Sequence, residues 1–432
     1  MATKGSQYIT KIIVEVENSS PLHVGGNDEG ILIDKDSSLP VISATGIAGA
    51  FRSYLSKSGY NEIIINRCFG SSNEDRSKGC SSIFIYDAIG DKTNIEMRPG
   101  LKIDGNTGTS IKKCKFEREY LGSGQRFKIK VEVFSKDCNE KEEFKSVIYE
   151  CFKALGNKQI QFGAYKTTGA GEFDLIKAEE YEYNMHDYKE MFRYLERNEQ
   201  SKDITKMLKE KSNFDNFIKF ELKGKTDGVL LTKGNNSNDD EKADSISIMN
   251  SSGEYIIPGP GIKGALKSQC KKIATYLNKD ENLIELAFGN DKSDVEGRKS
   301  GQVYTSDTVI SNARDKNNYP RIKIDKFTSG TITGAKFTDK PVQGDVVIKV
   351  KYNLKETSKE SNAIAGLITL ALRDIGLGGV SLGSGNNIGR GRLICDVMNV
   401  SYKDKRSQIQ FKNKSVINEE YINLLVKSII NY

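Results

Sequence analysis

The feature that most constrains the fold of this 432-residue chain is an internal duplication. A helix start that carries two glycines occurs twice, and its second glycine is Gly49 in the first copy and Gly264 in the second, 215 residues later. A Phe-Gly pair follows in each copy and ends at Gly70 and Gly289, 219 residues apart. Because landmarks that recur in order at a nearly constant spacing indicate repeated domains, we predict two copies of one domain.

Three further landmarks continue the repeat in the same order. They are an aspartate after a short apolar run, a Lys-Ile-Asp tripeptide and a glycine-rich loop. The pairs are Asp87 and Asp307, Asp104 and Asp325, and Gly171 and Gly391, separated by 220 or 221 residues. A length of 432 residues also agrees with two domains.

Each copy has the same predicted order of elements. A strand opens it, as in "KIIVEVE" (residues 11–17), where apolar and other residues alternate. A helix, several strands, a second helix with a continuous apolar stripe, the glycine-rich loop and a last strand follow. The second-helix stripes are Phe144, Val147, Ile148, Cys151, Phe152 and Leu155, and Ile364, Leu367, Ile368, Ala371, Leu372 and Ile375. This order predicts an α+β chain of two tandem ferredoxin-like, RRM-type domains, whose open sheet face and loops suit RNA.

The predicted boundaries follow the repeat. The first domain covers residues 1–185 and the second covers residues 214–402, with a charged, helix-prone linker at 186–213. Residues 403–432 are predicted as a C-terminal amphipathic helix, with Ile417, Tyr421, Leu424, Leu425 and Ile429 at helical spacing.

Composition narrows the functional class only slightly. The 65 basic and 58 acidic residues give a net charge of +7, a mild basic bias that is compatible with nucleic acid. The seven scattered cysteines show no CxxC spacing, so reduced structural thiols are favoured over a zinc site. No apolar leader opens the chain and no run of about 18 apolar residues occurs, so we expect a cytoplasmic protein without a membrane partner.

The most glycine-rich stretch, "GGVSLGSGNNIGRGR" (residues 378–392), does not match a nucleotide-cofactor loop. Phosphate-binding loops of that kind run from strand to loop to helix, whereas here a helix precedes the loop and a strand follows it. Two interpretations stay open. The glycines serve a tight turn, or the loop brings backbone N–H groups together with Arg390 and Arg392 against a polynucleotide.

The ordered, duplicated set resembles the RAMP superfamily, the repeat-associated proteins that form backbone subunits of type III CRISPR effector complexes. "YIIPGPGIKGALKS" (residues 255–268) is similar to the helix-start motif of that family, and "PVISATGIAGAFRS" (residues 40–53) is a looser copy. "LKIDGNTGTSIKKCKFEREYLGSGQRF" (residues 101–127) resembles its thumb hairpin, and the loop at 378–392 resembles its glycine-rich loop. The resemblance covers residues 9–400.

The resemblance implies a fused double backbone subunit. Such a subunit would bind guide RNA and paired target RNA, next to other type III subunits that include the large polymerase-like one. In target-cleaving members, an aspartate sixteen residues before the helix-start glycine supports cleavage with a divalent ion, Mg²⁺ or Mn²⁺. Ala44 holds that glycine position here, and the count leads to the candidate catalytic and metal-binding residue Asp28, with Glu29 as an adjacent alternative. Asp34 matches a second family aspartate that we interpret as structural.

The second copy is less regular at this point. The same count from Gly259 leads to Ala243, beside Asp244, within a polar insertion. The candidates for a second catalytic aspartate are therefore Asp239, Asp240 and Asp244, and a non-catalytic second copy also stays open.

RNA contacts are predicted at the helix starts and the glycine-rich loops. The candidate RNA-binding residues are His23, Arg52, Lys166, Lys263, Lys267, Arg390 and Arg392. Each basic residue could instead be an ordinary surface charge, and His23 could be a structural histidine.

Two alternatives to a target-cleaving subunit remain. The first is a non-catalytic RNA-binding scaffold in the same complex, in which Asp28 has no chemical role. The second is a guide-RNA-processing endoribonuclease of the same superfamily, whose members often use histidine. The chain has only two histidines, His23 and His186, which argues against it.

Overall fold

The computed structural model describes residues 6–25, 30–71, 80–104, 109–196, 201–234, 243–290, 300–315, 318–354 and 358–432. These residues form two compact units. The first consists of Met1–Ile95, Glu119–Lys166 and Ala170–Asp215, and the second of Glu96–Arg118, Thr167–Gly169 and Asn216–Tyr432. The second unit therefore includes a hairpin segment and a loop segment that come from the first copy of the sequence repeat.

The first repeat and the linker contain nine strands and five helices within the described ranges. In chain order they are β1 (Tyr8–Asn18), β2 (Val41–Ile42), α1 (Ala44–Lys57), α2 (Glu62–Phe69), β3 (Ile83–Ile85), β4 (Ala88–Ile89), β5 (Ile95–Ile103), β6 (Ser110–Leu121), β7 (Arg126–Ser135), α3 (Cys138–Gly156), β8 (Phe173–Asn184), α4 (Tyr188–Glu196), β9 (Lys202–Asp203) and α5 (Thr205–Leu208).

The first unit is built on a sheet of order β3-β7-β1-β8-β9. The central strand β1 is antiparallel to both neighbours, from Tyr8 opposite Ser135 on β7 and from Tyr8 opposite Asn184 on β8. Helix α1 lies between β1 and β3 in the chain, and α3 lies between β7 and β8. The order of these four strands and two helices is that of a ferredoxin-like domain, which confirms the predicted fold class.

The second repeat and the C-terminal region follow the same plan. Their elements are β10 (Phe217–Asp227), β11 (Ser245–Ile246), β12 (Ile256–Ile257), α6 (Gly259–Tyr276), α7 (Asn282–Phe288), β13 (Val303–Thr305), β14 (Thr308–Asp315), β15 (Tyr319–Ile324), β16 (Thr331–Lys340), β17 (Val342–Asn353), α8 (Lys359–Gly376), β18 (Arg392–Tyr402), β19 (Lys405–Gln410), β20 (Ser415–Ile417) and α9 (Glu419–Ile430). The sheet runs β12-β14-β17-β10-β18-β19-β20, and β13 also pairs with β17.

The predicted apolar stripes form the cores. Every residue of both second-helix stripes is buried, on α3 in the first unit and on α8 in the second. Strand residues form the other side of the core. In the first unit, Ile12, Val14 and Val16 occupy alternate positions along β1 and are fully buried. Side-chain caps start the helices, because Ser43 accepts from the Gly46 N–H and Asp137 accepts from the Glu140 N–H.

The C-terminal region docks on its own unit. Helix α9 lies against α8, and a Cβ at Gly366 of α8 would stand 2.3 Å from the Leu425 carbonyl oxygen, so only glycine permits this close crossing. Tyr421, Leu425 and Ile429 are buried as predicted, whereas Ile417 and Leu424 are exposed and Ile422 is buried. Strands β19 and β20 extend the sheet at an edge where the sequence predicted no strands.

Each repeat also carries a two-stranded hairpin, β5-β6 in the first and β15-β16 in the second. The second hairpin gains β11 as a short parallel strand on β16. The exposed large apolar residues on β5 and β6 are Ile95, Met97, Leu101, Ile103, Ile111 and Phe116, and those on and between β15 and β16 are Tyr319, Ile322, Ile324, Phe327, Ile332 and Phe337. None of the helices within the described ranges combines the length and apolar character that crossing a bilayer requires.

Candidate nucleic-acid interface

An aspartate fixes the start of the first helix in both repeats. In the first unit, the Ala44 N–H at the start of α1 donates to Oδ1 of Asp87 over 2.6 Å. In the second, the Gly259 N–H at the start of α6 donates to Oδ1 of Asp307 over 2.8 Å. Asp87 and Asp307 therefore have the same role, since each accepts a hydrogen bond from a backbone N–H that a helix start leaves unpaired.

The glycines that follow these starts have no role in packing. A Cβ at Gly49 of α1, or at Gly261 or Gly264 of α6, would meet nothing within 4 Å, and all three residues are exposed. Glycine inside a helix costs about 0.5–1 kcal/mol relative to alanine. Because the fold gains nothing from these glycines, they leave a bare strip of helix that another molecule can approach closely.

The basic residues one turn later make the same contact in both units. Arg52 donates from Nη1 to the Gly70 carbonyl over 2.7 Å and from Nη2 to the Asn66 side chain over 2.6 Å. Lys267 donates from Nζ to the Gly289 carbonyl over 3.4 Å. These contacts stabilise the ends of α2 and α7, so the two side chains have a structural partner in addition to their predicted contact with RNA.

Lys263 and Lys166 are half-buried cations without a carboxylate partner among the described residues. Burial, with repulsion from Lys267, lowers the pKa of Lys263 to about 8. Burial, with repulsion from Lys57, lowers the pKa of Lys166. A desolvated ammonium group is stabilised when an anion approaches, so both positions are suited to a phosphate.

His23 is packed as a structural histidine would be. It is 8% exposed, and its Nδ1 lies 2.7 Å from the Glu119 carbonyl oxygen. Because a carbonyl only accepts, Nδ1 is the protonated nitrogen. The imidazole also packs against the rings of Tyr165 and Tyr120, at 5.2 and 5.9 Å between centroids.

Backbone packing accounts for the glycines of the glycine-rich loops. A Cβ at Gly391 would lie 1.9 Å from the Leu382 carbonyl oxygen, and a Cβ at Gly171 would lie 2.0 Å from the Phe162 carbonyl oxygen. Both residues also have positive φ angles of 79° and 81°. The two loops thus close on themselves in the same way, as the turn interpretation predicts.

The two arginines of the second loop differ in exposure. Arg390 is 5% exposed and donates from Nη1 to Oδ2 of Asp339 over 2.7 Å, a buried carboxylate on β16 that also pairs with Arg321. Arg392 is exposed and donates from Nε to the Gly378 carbonyl over 3.1 Å. Of the pair, Arg392 has the guanidinium surface that an incoming phosphate can reach.

The candidate catalytic aspartates are described only in part. Asp28 and Glu29 lie outside the described residues, as do Asp239 and Asp240. Asp244 is exposed, and its Oδ2 accepts from the Thr338 N–H of β16 over 2.6 Å. Asp34 organises a turn, since its Oδ2 accepts from the N–H and the hydroxyl of Ser37, and these bonds lower its pKa.

Across the part of the chain that the structure describes, no group of three or more His, Cys, Asp or Glu side chains lies close enough to bind a metal ion together. A site for Mg²⁺ built on the described residues would therefore use one or two carboxylates and take its other oxygens from RNA phosphates and water. Asp244 has that character, because it is exposed and ionisable.

The second hairpin presents an aromatic side chain at its tip. Phe327 is 98% exposed, and the turn that holds it is fixed by Asp325, whose Oδ1 accepts from the N–H groups of Phe327 and Thr328 over 2.9 and 2.8 Å. These backbone bonds lower the pKa of Asp325. An ordered, solvent-facing ring of this kind can stack on a base.

Sequence reasoning missed several of these features. Gly49 and Gly264 were recognised as landmarks, but an exposed glycine inside a predicted helix is itself a signal of close approach. Phe327 was not noted, although an aromatic residue two positions after the Lys-Ile-Asp tripeptide is visible in the sequence.

Comparison with known proteins identifies one family. A profile of the RAMP superfamily matches residues 15–174 and, separately, residues 221–394. The two matched segments coincide with the two copies of the sequence repeat. No curated protein shows significant similarity to the chain.

Proposed function

Because the chain belongs to the RAMP superfamily, as a tandem two-copy member, we propose that it is a double backbone subunit of a type III CRISPR effector complex. Family membership makes it a CRISPR-associated RNA-binding protein. The finer proposal is that each repeat binds a stretch of guide RNA along its first helix start and glycine-rich loop, and that the hairpins contact the paired target RNA.

The observation that carries this proposal is the duplicated bare helix start. Gly49 and Gly264 occupy equivalent places on α1 and α6, and neither is required by packing. A polynucleotide backbone approaches a helix most closely where side chains are absent, so a strip of exposed glycines lets RNA come close to the helix. Lys263 lies beside this strip on α6 and supplies the charge.

Affinity for RNA should depend on pH through Lys263. In the RNA-free protein, Lys263 loses its proton as the pH rises through about 8, whereas a phosphate-bound lysine keeps it. Binding must then take up a proton, so we expect the affinity for single-stranded RNA to fall by about one order of magnitude between pH 7 and pH 9.5. Fluorescence anisotropy on the full chain measures this.

Two variants separate Lys263 from other titrating groups. Lys263→Arg keeps a charge that does not titrate in this range, so its affinity should lose this pH dependence. Lys263→Met should bind RNA more weakly at pH 7, and its slope of log affinity against log salt concentration should be shallower by about 0.7. Lys271→Met, on the same helix, should keep the slope of the wild type. An identical pH profile for the wild type and Lys263→Arg would contradict the role of Lys263.

The proposed activity is cleavage of target RNA, in which Asp28 is the catalytic residue. Attack of a ribose 2′-hydroxyl on its own phosphodiester requires an aligned phosphate and stabilisation of the developing negative charge. A bound Mg²⁺ or Mn²⁺ ion would supply that stabilisation. The duplicated helix starts support this proposal only indirectly, since they offer surfaces that would hold the RNA.

The proposed partners include a neighbouring subunit at Asp87. In the second unit, Oδ1 of Asp307 caps α6 and Oδ2 pairs with Arg98, from the hairpin strand β5. Both side chains are largely buried, at 14% and 11% exposure. In the first unit, Asp87 caps α1 in the same way, but it is exposed and no cation within the described ranges pairs with it. We therefore propose that an arginine from a neighbouring subunit's hairpin pairs with Asp87.

Asp87→Asn should weaken assembly without unfolding the chain. The amide oxygen can still accept from the Ala44 N–H, so the helix cap survives, but the charge that attracts an arginine is lost. We expect the assembled complex to dissociate at protein concentrations at least about tenfold higher than the wild type does. Mass photometry on a dilution series measures this, with Asp36→Asn as the control. Equal stability of both variant complexes would rule out the pairing.

A further inference from the structure

The first unit fills a groove between its two long helices with its own linker. Glu210 pairs with Lys153 on α3, with Oε2 and Nζ 3.1 Å apart. Three residues later, Asn213 donates from its N–H and from Nδ2 to the carboxylate of Glu150 over 2.9 and 3.0 Å. The Phe214 ring then lies 5.2 Å from the ring of Tyr60, just after α1.

The floor of this groove is polar and satisfied. Glu150 is 3% exposed, and it also accepts from the Tyr54 hydroxyl of α1 over 3.0 Å. Burial and the nearby carboxylate raise the pKa of Tyr54, so the hydroxyl keeps its proton and remains a donor. The linker segment 210–214 therefore completes the hydrogen bonds of a carboxylate that would otherwise be buried without enough partners.

The second unit has the same groove, and it is open. When α1 and α6 are aligned on Gly49 and Gly264, Gln269 of α6 takes the place of Tyr54. When α3 and α8 are aligned on Gly156 and Gly376, Leu370 takes the place of Glu150 and Arg373 that of Lys153. The cavity there has a volume of about 510 Å³. Its walls include Ile273, Leu277 and Leu370, and Tyr276 on its rim is 86% exposed.

The chain's own C-terminal region packs on α8 one turn before this groove, on the same face of the helix. Helix α9 crosses α8 at Gly366, one turn before Leu370, and its buried residues belong to the core of the second unit. After β18 the chain forms β19, β20 and α9, and no described residue of these elements lines the cavity.

The side chains that line the open groove indicate which kind of ligand it would bind. Leu370 replaces a glutamate, so the floor takes an apolar side chain rather than an asparagine. Lys272 and Arg373 stand at the rim and are exposed. Arg373 shares the single carboxylate of Asp374 with Gln269, and Lys272 has no carboxylate partner among the described residues, so the rim carries a net positive charge.

We propose that this groove binds an extended segment of a partner protein that has an acidic residue followed, four positions later, by an aromatic or large aliphatic side chain. The spacing is that of Glu210 and Phe214, which fill the equivalent groove in the first unit. The acidic residue pairs with Arg373 and Lys272. The residue before the apolar one meets Leu370, as Asn213 meets Glu150, and the apolar side chain lies against Tyr276. This binding site is separate from the RNA-binding strip and goes beyond the proposed function.

Labelled synthetic peptides test the groove on the full chain. The probe is a fluorescein-labelled Glu-Leu-Ser-Leu-Phe peptide, which keeps the spacing of residues 210–214 but has leucine in place of Asn213, the residue that contacts Glu150. We expect saturable binding that weakens at least about tenfold for Leu370→Asp, which places a carboxylate in the apolar floor, and for Arg373→Glu. Leu370→Met should bind as the wild type does. A Lys-Leu-Ser-Leu-Phe peptide should not bind.

The same variants distinguish this site from RNA binding. Arg373→Glu is a surface change that tests the site even if Leu370→Asp lowers the melting temperature. Both variants should retain the RNA affinity of the wild type. Equal peptide affinity for the wild type, Leu370→Asp and Arg373→Glu would overturn the proposal, whatever the chain does with RNA.

A cysteine probe identifies the occupant in the assembled complex. Ile273→Cys should react with a maleimide in the isolated chain and be protected in the complete complex, where a crosslink should lead to a partner segment with the stated spacing. Reaction at the same rate in both states would overturn the proposal. Protection in the isolated chain that grows with concentration would assign the groove to a second copy and would also overturn it.

Discussion

Gly264→Met should leave the chain folded and remove most of its affinity for RNA. Nothing lies within 4 Å of a Cβ at this position, so the fold accepts a long side chain, and the free energy of unfolding should rise by about 0.5–1 kcal/mol because methionine is a better helix former than glycine. The same side chain occupies the strip on α6 that we assign to the RNA backbone. Several phosphate contacts are displaced together, so affinity should fall more than about tenfold at moderate salt.

Urea unfolding and RNA anisotropy on the same preparations separate the two effects. Gly264→Ala is the matched control, because it should stabilise the helix by a similar amount with a side chain too small to displace the RNA. Gly49→Met tests the equivalent strip on α1. A folded Gly264→Met variant that binds RNA as tightly as the wild type would show that the helix start is not the RNA-binding surface.

Asp28→Ala should abolish one cut in a complementary RNA while RNA binding persists. We expect the rate at that position to fall by at least about 100-fold, since the carboxylate is assigned to hold the divalent ion that would stabilise the negative charge of the transition state. The measurement is the cleavage ladder of a labelled target RNA in Mg²⁺, together with the lengths of the RNA that co-purifies with the complex. Asp36→Ala, which removes an exposed aspartate eight residues later in the chain, is the control.

The alternatives predict different ladders. If the chain is a scaffold, Asp28→Ala leaves every cut unchanged. If it is a guide-processing ribonuclease, cleavage survives a chelator, and the guide lengths change rather than the target ladder. A second cut that survives Asp28→Ala and disappears with Asp244→Ala would assign that cut to the second repeat.

The repeat made the architecture predictable, whereas long-range pairing limited the prediction of the site. Recurrent landmarks and two apolar stripes were enough to predict two ferredoxin-like domains, because burial of those stripes determines the order of the layers. Arg390 illustrates the limit. Its loop suggested an RNA contact, but its guanidinium is buried against Asp339, 51 residues earlier, and no local pattern shows such a pair.

The location of single glycines within helices indicated a binding surface better than the glycine content of a segment did. The glycine-rich loop at 378–392 is the more conspicuous stretch, yet its glycines are accounted for by positive φ angles and close backbone packing. Gly49 and Gly264 are single residues in ordinary helices, and no contact in the fold explains them. Whether a glycine is required by its own fold is decided by atoms distant in sequence, so the distinction needed the structure.

The pairing of Arg98 with Asp307 also determines how the protein responds to dilution. The two residues are 209 positions apart in one chain, so each meets the other at the constant, high effective concentration of an intramolecular contact. This bond is present in a single molecule at any protein concentration. A bond at Asp87 would have to be made with another molecule and would follow mass action. Because the two repeats are covalently fused, dilution cannot separate them, and every molecule contains two RAMP domains in a fixed order and in equal number.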